Sequence, residues 1–205
     1  MFVPIPVFWT LHMQQGSRWV FQATRMNGDI SWFTIKPDQM IVFNSIFSLV
    51  LVPIFERVIY PLMAKVGMNN PLAKMSVGMF FAAASFVVSA LNEIQIEKAY
   101  INILWLVPQY FLLVIGEIMV FVQNLNFAYR EAPENMKSVM LSFVYLTTAT
   151  GNLFMVFISG TKLFESQVHE FLFFAGVMFV DMLIFIALSI NYKYTSHDDD
   201  DKVEK

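Results

Sequence analysis

The chain has 205 residues, 57% apolar and 14% charged, with a mean hydropathy of +0.58 and a formal charge of −3. Ordinary soluble domains carry about 25% charged residues, so a free water-soluble globule is excluded, and the lack of a basic patch excludes a nucleic-acid binder. The absence of cysteine rules out disulfide frameworks, iron–sulfur clusters and thiol catalysis, and His12, His169 and His197 are too scattered for a metal site by spacing.

A membrane-spanning helix needs roughly 20 mostly apolar residues, because the hydrocarbon layer is about 30 Å thick and each residue rises about 1.5 Å. Six segments qualify, at 3–23, 39–63, 73–92, 100–128, 138–160 and 171–192. The predicted fold is an all-α membrane protein of six transmembrane helices over 1–194, with an acidic tail over 195–205.

The first segment carries Trp9, His12, Gln15 and Arg18 at intervals of three. Steps of three drift by only about 60°, so Trp9, His12 and Gln15 cover an arc of roughly 120° and form one polar-aromatic stripe. Such a stripe lines a pore or pocket, or hydrogen-bonds a neighbouring helix. The run Gln14-Gln15-Gly16-Ser17 interrupts any signal-peptide core. Turn residues Arg25–Asp29 and Lys36-Pro37-Asp38 lead to the second segment, where internal Pro53 predicts a kink. Glu56 and Arg57 follow. Adjacent residues point about 100° apart, so Arg57 is read as reaching the inner interface and Glu56 as requiring a cation from another helix, a static buried ion pair being the plainer alternative.

After the turn Gly67–Pro71 comes the third segment, joined to the fourth by Asn92–Ala99. The fourth contains Pro108, a second predicted kink, then Gly116 and Glu117 inside the apolar run Leu112–Met119. A charge at mid-span costs roughly 2.5–3.5 kcal/mol on insertion scales, so Glu117 faces a cavity or a partner. It is either a carboxyl that holds and releases a proton at a functional site, or a protonated one hydrogen-bonded to the next helix. Arg130–Asn135 leads into the fifth segment, where Gly151 and Gly160 permit close helix approach. In the sixth, Asp181 is read as an interior hydrogen-bonded carboxyl.

With both termini cytoplasmic, Lys65, Lys74, Arg130, Lys137, Lys193, Lys202 and Lys205 fall inside and Arg25, Lys36, Lys98 and Lys162 outside, a modest positive-inside bias. No nucleophile–base constellation and no metal-ligand spacing is present, so neither an enzyme nor a cofactor is expected. A helical bundle with a hydrated inner surface and a titratable carboxyl points to transport, with proton coupling as an option.

Several blocks in order make this reading more specific. Phe8-Trp9-Thr10-Leu11-His12-Met13-Gln14-Gln15-Gly16-Ser17-Arg18-Trp19, Lys36-Pro37-Asp38-Gln39-Met40 running on to Val52-Pro53-Ile54-Phe55-Glu56, Pro108-Gln109-Tyr110 through Gly116-Glu117, and Ala132-Pro133-Glu134-Asn135 with Gly151-Asn152 together resemble the proton-coupled oligopeptide transporter family, its animal peptide transporters above all. The resemblance is to the second six-helix bundle of that family's major facilitator fold. It implies proton-driven symport of di- and tripeptides across a bilayer, the plasma membrane for preference, together with an N-terminal six-helix half that this chain lacks. A truncated, non-transporting chain that associates with a full-length transporter is the alternative.

By position, the resemblance implies that Glu117 meets the peptide's amino terminus and takes part in proton coupling. Asn44 would hydrogen-bond the same amino group, and Trp9, Leu11, His12 and Gln15 would line the pocket. Glu56 matches an acidic position of the coupling machinery, paired in the family with an arginine that by spacing would lie before Met1. The departures are His12 for a usual phenylalanine, Met13 for an aspartate, Phe121 for a serine and Val144 for a tryptophan. They imply a differently shaped side-chain pocket and a second titratable group within it. The large extracellular domain of animal relatives is replaced by the short Asn92–Ala99 connector.

Overall fold

The computed structural model describes residues 3–30, 32–160, 164 and 166–192, so the acidic tail 195–205 and Lys162 lie outside the described residues. Eight α-helices follow one another: α1 (Ile5–His12), α2 (Arg18–Thr24), α3 (Ile41–Ile54), α4 (Tyr60–Lys65), α5 (Pro71–Lys98), α6 (Val107–Glu131), α7 (Lys137–Gly160) and α8 (Gln167–Ile190). They combine into six segments. Five are long and apolar enough to cross a bilayer: Pro37–Lys65, Pro71–Lys98, Ile103–Glu131, Lys137–Ile158 and Gln167–Ile190.

The first predicted span departs from expectation. It is helical at both ends but broken in the middle by a 3-10 turn, Met13–Gly16, after which Ser17 takes a non-helical backbone (φ −127°, ψ −73°). Glycine is among the weakest helix formers, and the polar residues beside it can satisfy freed backbone groups locally. The Ser17 N–H bonds the Gln14 carbonyl at 3.1 Å and the Ser17 hydroxyl donates to the Gln14 side chain at 3.1 Å. Irregular backbone at membrane depth is tolerated where it is buried in protein or lines a cavity.

Other boundaries shift for identifiable reasons. Pro53 lies inside α3 and is followed by a π-helical turn, Phe55–Ile59, before α4 continues the same rod. A proline cannot donate to the carbonyl four residues back, and π turns accommodate such interruptions. Pro108 does not kink its span. It occupies the first turn of α6, where the missing N–H has no partner to lose, just after the 3-10 turn Ile103–Leu106. The expected Asn92–Ala99 connector is mostly helix, since α5 runs on to Lys98. A two-stranded ribbon, β1 (Asp29–Ile30) with β2 (Phe33–Thr34), joins the helices among the described residues, with Asp29 opposite Thr34. It is clipped to the loop before α6: Asn27 N–H bonds the Ile101 carbonyl at 2.8 Å, and Ile103 N–H bonds the Asn27 carbonyl at 2.7 Å.

α5 and α6 are the central pair. In lipid, helices associate through close packing rather than through hydrophobic exclusion, and small residues allow it. Gly78 of α5 faces Gly116 of α6; a Cβ built on Gly116 would lie 2.7 Å from the Gly78 carbonyl oxygen and 3.2 Å from Ala82 Cβ. α8 packs on the far side of α5, where Phe86 meets Phe174 edge-on at 6.0 Å. Trp19 closes the end of this core, 4.9 Å from Tyr110 and 5.8 Å from Phe86 between ring centres. The segments built on α3 and α7 are covered least, and most of their apolar side chains, Leu49, Val50, Phe154 and Phe157 among them, are exposed.

Candidate functional site

Two glycines aim the site. Gly116 locks one face of α6 against α5, which leaves the next residue, Glu117, turned toward α1 and α3. Gly151 does the same for α7 against α1: a Cβ there would lie 2.6 Å from Trp9 Cβ and 2.7 Å from the Pro6 carbonyl oxygen. The Thr10 hydroxyl sits within hydrogen-bond distance of the carbonyls of Pro6 (2.7 Å) and Gly151 (3.0 Å), tying the two helices at this level.

Around Glu117 the structure assembles a four-residue polar cluster from three segments. His12, at the end of α1, places Nε2 3.1 Å from Glu117 Oε2. Asn44, one turn into α3, donates from Nδ2 to the same oxygen at 3.2 Å and to Gln15 Oε1 at 2.9 Å. Gln15 Nε2 lies 3.3 Å from His12 Nε2. His12 is 2% exposed, whereas the Glu117 side chain keeps 27% of its surface. Its second oxygen, Oε1, takes no hydrogen bond among the described residues. The cluster is thus buried on one side and open on the other, with a free acceptor at the opening. Such a carboxylate can receive an ammonium group.

Trp9 forms the apolar wall, 5.3 Å from His12 and 5.8 Å from Phe121 between ring centres, edge-on to both. Its indole N–H is buried without a hydrogen-bond partner among the described residues. Phe121 stands one turn beyond Glu117 on α6, so a ring replaces the serine expected from the resemblance and narrows this end. Val144 is fully buried in α7.

The remaining candidates separate. Leu11 is 2% exposed, in the same hydrophobic core cluster as Trp9 but about 200° round the helix from it. Glu56 is exposed in the π-helical turn, with no ion pair among the described residues. Counted along the helix, it lies roughly 18 Å from Asn44 at about 1.5 Å per residue. Arg18, the next residue in the three-residue spacing, does not join the stripe residues at Glu117. The break at Met13–Gly16 rotates α2 away from α1, and Arg18 instead meets Glu170 of α8 at 3.0 Å. Asp181 is 6% exposed on α8, and its Oδ2 has no hydrogen-bond partner among the described residues, where an interior hydrogen bond is expected.

A second polar network was not anticipated from the sequence. Glu93, expected in a connector, is fully buried near the end of α5 and is ion-paired with Arg25, which also bonds Gln167. Gln22 Nε2 donates to Glu93 Oε2 and to the Ser89 carbonyl, both at 3.0 Å. Gln109 donates to Gln22 Oε1 at 3.3 Å and accepts from Asn92 at 3.0 Å. The network braces α2, α5, α6 and α8 at one end of the bundle, away from Glu117. The one local signal was the run of amides, Gln22, Asn92 and Gln109, within apolar segments.

Comparison with known proteins adds the frame. The family model described as PTR2, POT family, matches residues 1–170. Solute carrier family 15 member 1 of Mus musculus is 50% identical over 99 residues, 48% of this chain and 14% of that protein. Peptide transporter family 1 of Drosophila melanogaster is also 50% identical over 99 residues, 48% of this chain and 13% of that protein. The crystal structure of an auto-inhibited POT family peptide transporter superposes with a TM-score of 0.85 at 28% identity, covering 96% of this chain and 40% of that one. The POT family transporter PepTSo gives 0.83 at 27% identity, covering 95% and 41%. The chain therefore spans well under half the length of each of these relatives.

Proposed function

Because the chain belongs to the POT family, a family of transporters rather than enzymes, we propose that it supplies the ammonium-binding half of a proton-coupled di- and tripeptide symporter. The observation that carries this is the convergence of His12 and Asn44 on one oxygen of Glu117, with Gln15 bridging the two, while the other oxygen stays open. Peptides differ in their side chains but share their termini, so a site that accepts many of them must read the termini. Glu117 Oε1 would take the terminal ammonium, with Asn44 fixing the carboxylate's orientation. Trp9, with Phe121, would bound the first side chain. Protonation of Glu117 would remove its charge and release the ammonium, which links proton movement to substrate movement.

The substrate carboxylate would be held by cations of an N-terminal six-helix half. That half would pack on the uncovered faces of α3 and α7, and rocking of the two bundles would give alternating access. The protein is a multi-pass membrane protein, and both termini are assigned to the cytoplasm of a plasma-membrane transporter. Co-expression with the first-half bundle of a POT family transporter, followed by labelled dipeptide uptake, tests the proposal. Proton-driven uptake that survives Glu117→Gln unchanged overturns the coupling role.

The same uncovered faces of α3 and α7 favour a second reading, in which the chain assembles with a full-length transporter without transporting by itself. Co-purification with such a transporter, with no uptake gained beside a first-half bundle, would establish it.

A further inference from the structure

We infer that the ribbon between the first two segments is a lipid anchor: Trp32 at its tip and Phe33 beside it lie in the headgroup layer of the bilayer, with zwitterionic phospholipid as their partner. The inference holds whatever the chain transports.

Trp32 is 98% exposed and Phe33 62%. Phe33 and Thr34 are both exposed although successive strand residues face opposite ways, so the protein covers neither face of β2. A lone two-stranded ribbon is at best marginally stable in water. This one pairs only Asp29 with Thr34 and Ile30 with Phe33. Its base is well tied. The Thr34 hydroxyl donates to Asp29 Oδ1 at 2.7 Å, Ile35 N–H bonds the Gly28 carbonyl at 2.8 Å, and Asn102 Nδ2 donates to the Asp29 carbonyl at 3.3 Å. These bonds hold the base and leave the aromatic tip without cover from the chain.

The clip sets the depth of the ribbon. Asn27 is bonded to Ile101 and Ile103, and Ile103 opens the apolar span that runs to Glu131. The ribbon is therefore tied where hydrocarbon gives way to headgroups. At the same level Trp105 turns outward, 61% exposed, while Ile103 and Leu106 on either side of it are fully buried, and Tyr100 is exposed in the adjoining loop. Indole and phenol rings favour this layer because one part of the ring is apolar and the other bonds water and headgroups. The charges choose the lipid. Exposed Lys36 and Lys98 are matched by exposed Asp29, Asp38 and Glu97, and Arg25 is committed to Glu93. Binding of anionic lipid takes a cluster of uncompensated Lys and Arg, and none of the described residues near the ribbon supplies one. The anchor would hold the joint between the segments that bring His12, Gln15 and Asn44 to Glu117.

The test uses the full chain in phosphatidylcholine nanodiscs. The emission of Trp32 is read as the difference between the wild-type protein and Trp32→Phe, a change at a side chain that the fold leaves uncovered. Phosphatidylcholine brominated near the glycerol should quench that emission at least about twofold, and lipid brominated near the chain ends should quench it less, as expected of a ring at headgroup depth. Aqueous iodide should quench it weakly. Replacing part of the lipid with phosphatidylserine should leave the quenching unchanged. Emission quenched by iodide and indifferent to brominated lipid overturns the inference and places the tip in water. Emission shielded from both also overturns it and assigns the tip to a protein partner. Quenching that rises with phosphatidylserine overturns the choice of zwitterionic lipid. A second measurement leaves Trp32 in place. The chain has no cysteine, so Phe33→Cys carries a single nitroxide label. The label should be relaxed by oxygen dissolved in the bilayer more than by a water-soluble nickel chelate, and the opposite order overturns the inference.

Discussion

Gly116 and Gly78 meet backbone to backbone where α6 crosses α5, and the residue after Gly116 is the carboxylate around which three segments gather. Helix packing and site geometry are therefore coupled through one residue. Gly116→Ala should force the helices apart, since its Cβ would fall 2.7 Å from a carbonyl oxygen. A cost of about 1–3 kcal/mol is expected from overpacking. Thermal unfolding in detergent should fall accordingly. Gly176→Ala, whose Cβ meets nothing within 4 Å in α8, should be neutral or stabilising.

Asn44 joins Gln15 to Glu117 through one amide group. Asn44→Ala removes both hydrogen bonds and should lower ligand affinity by about 0.5–1.5 kcal/mol per lost bond. Asn44→Asp keeps the shape but sets a second negative charge beside Glu117. It is expected to weaken the site's preference for a single ammonium and to tighten binding of doubly charged ligands such as lysyl peptides. Competition assays with alanyl and lysyl dipeptides read both effects.

The brace at the other end should behave as a stability element. Arg25→Ala leaves Glu93 buried and unpaired. Breaking a wholly buried pair costs about 3–5 kcal/mol, and the partial exposure of Arg25 lowers the expectation to about 2 kcal/mol. Adding Glu93→Gln should recover most of the loss, because Gln22 can still donate to the new side-chain oxygen. A double-mutant cycle on unfolding measures it.

The two prolines should separate cleanly. Pro108→Ala lies in the first turn of α6 and should change stability by less than about 1 kcal/mol. Pro53→Ala restores an N–H within α3 and should convert the adjoining π-helical turn toward α-helix, shifting Glu56 around the rod axis. Spin-label distances between α3 and α6 would detect the change.

Much of this protein was legible residue by residue. Mean hydropathy and the spacing of polar turns located the spans, because the bilayer imposes a length on each segment independently of its neighbours. Glu117 stood out for the same reason, as a charge where lipid tolerates none without a partner. The first segment shows the limit of such reading: a three-residue spacing that runs from Trp9 through His12 and Gln15 to Arg18 keeps its angular sense only if the helix is unbroken. The turn at Met13–Gly16 sends Arg18 to Glu170 and leaves the other three near Glu117.

Hydropathy and spacing alone determined which stretches enter the membrane and which charge is anomalous there, because transfer free energy is a local property of each segment. Tertiary structure alone decided which groups answer each charge: His12 for Glu117, Arg25 for Glu93, Arg18 for Glu170. Each of these pairings joins residues more than sixty positions apart. They depend on where glycine contacts let backbones cross, and that long-range geometry has no periodicity in the chain.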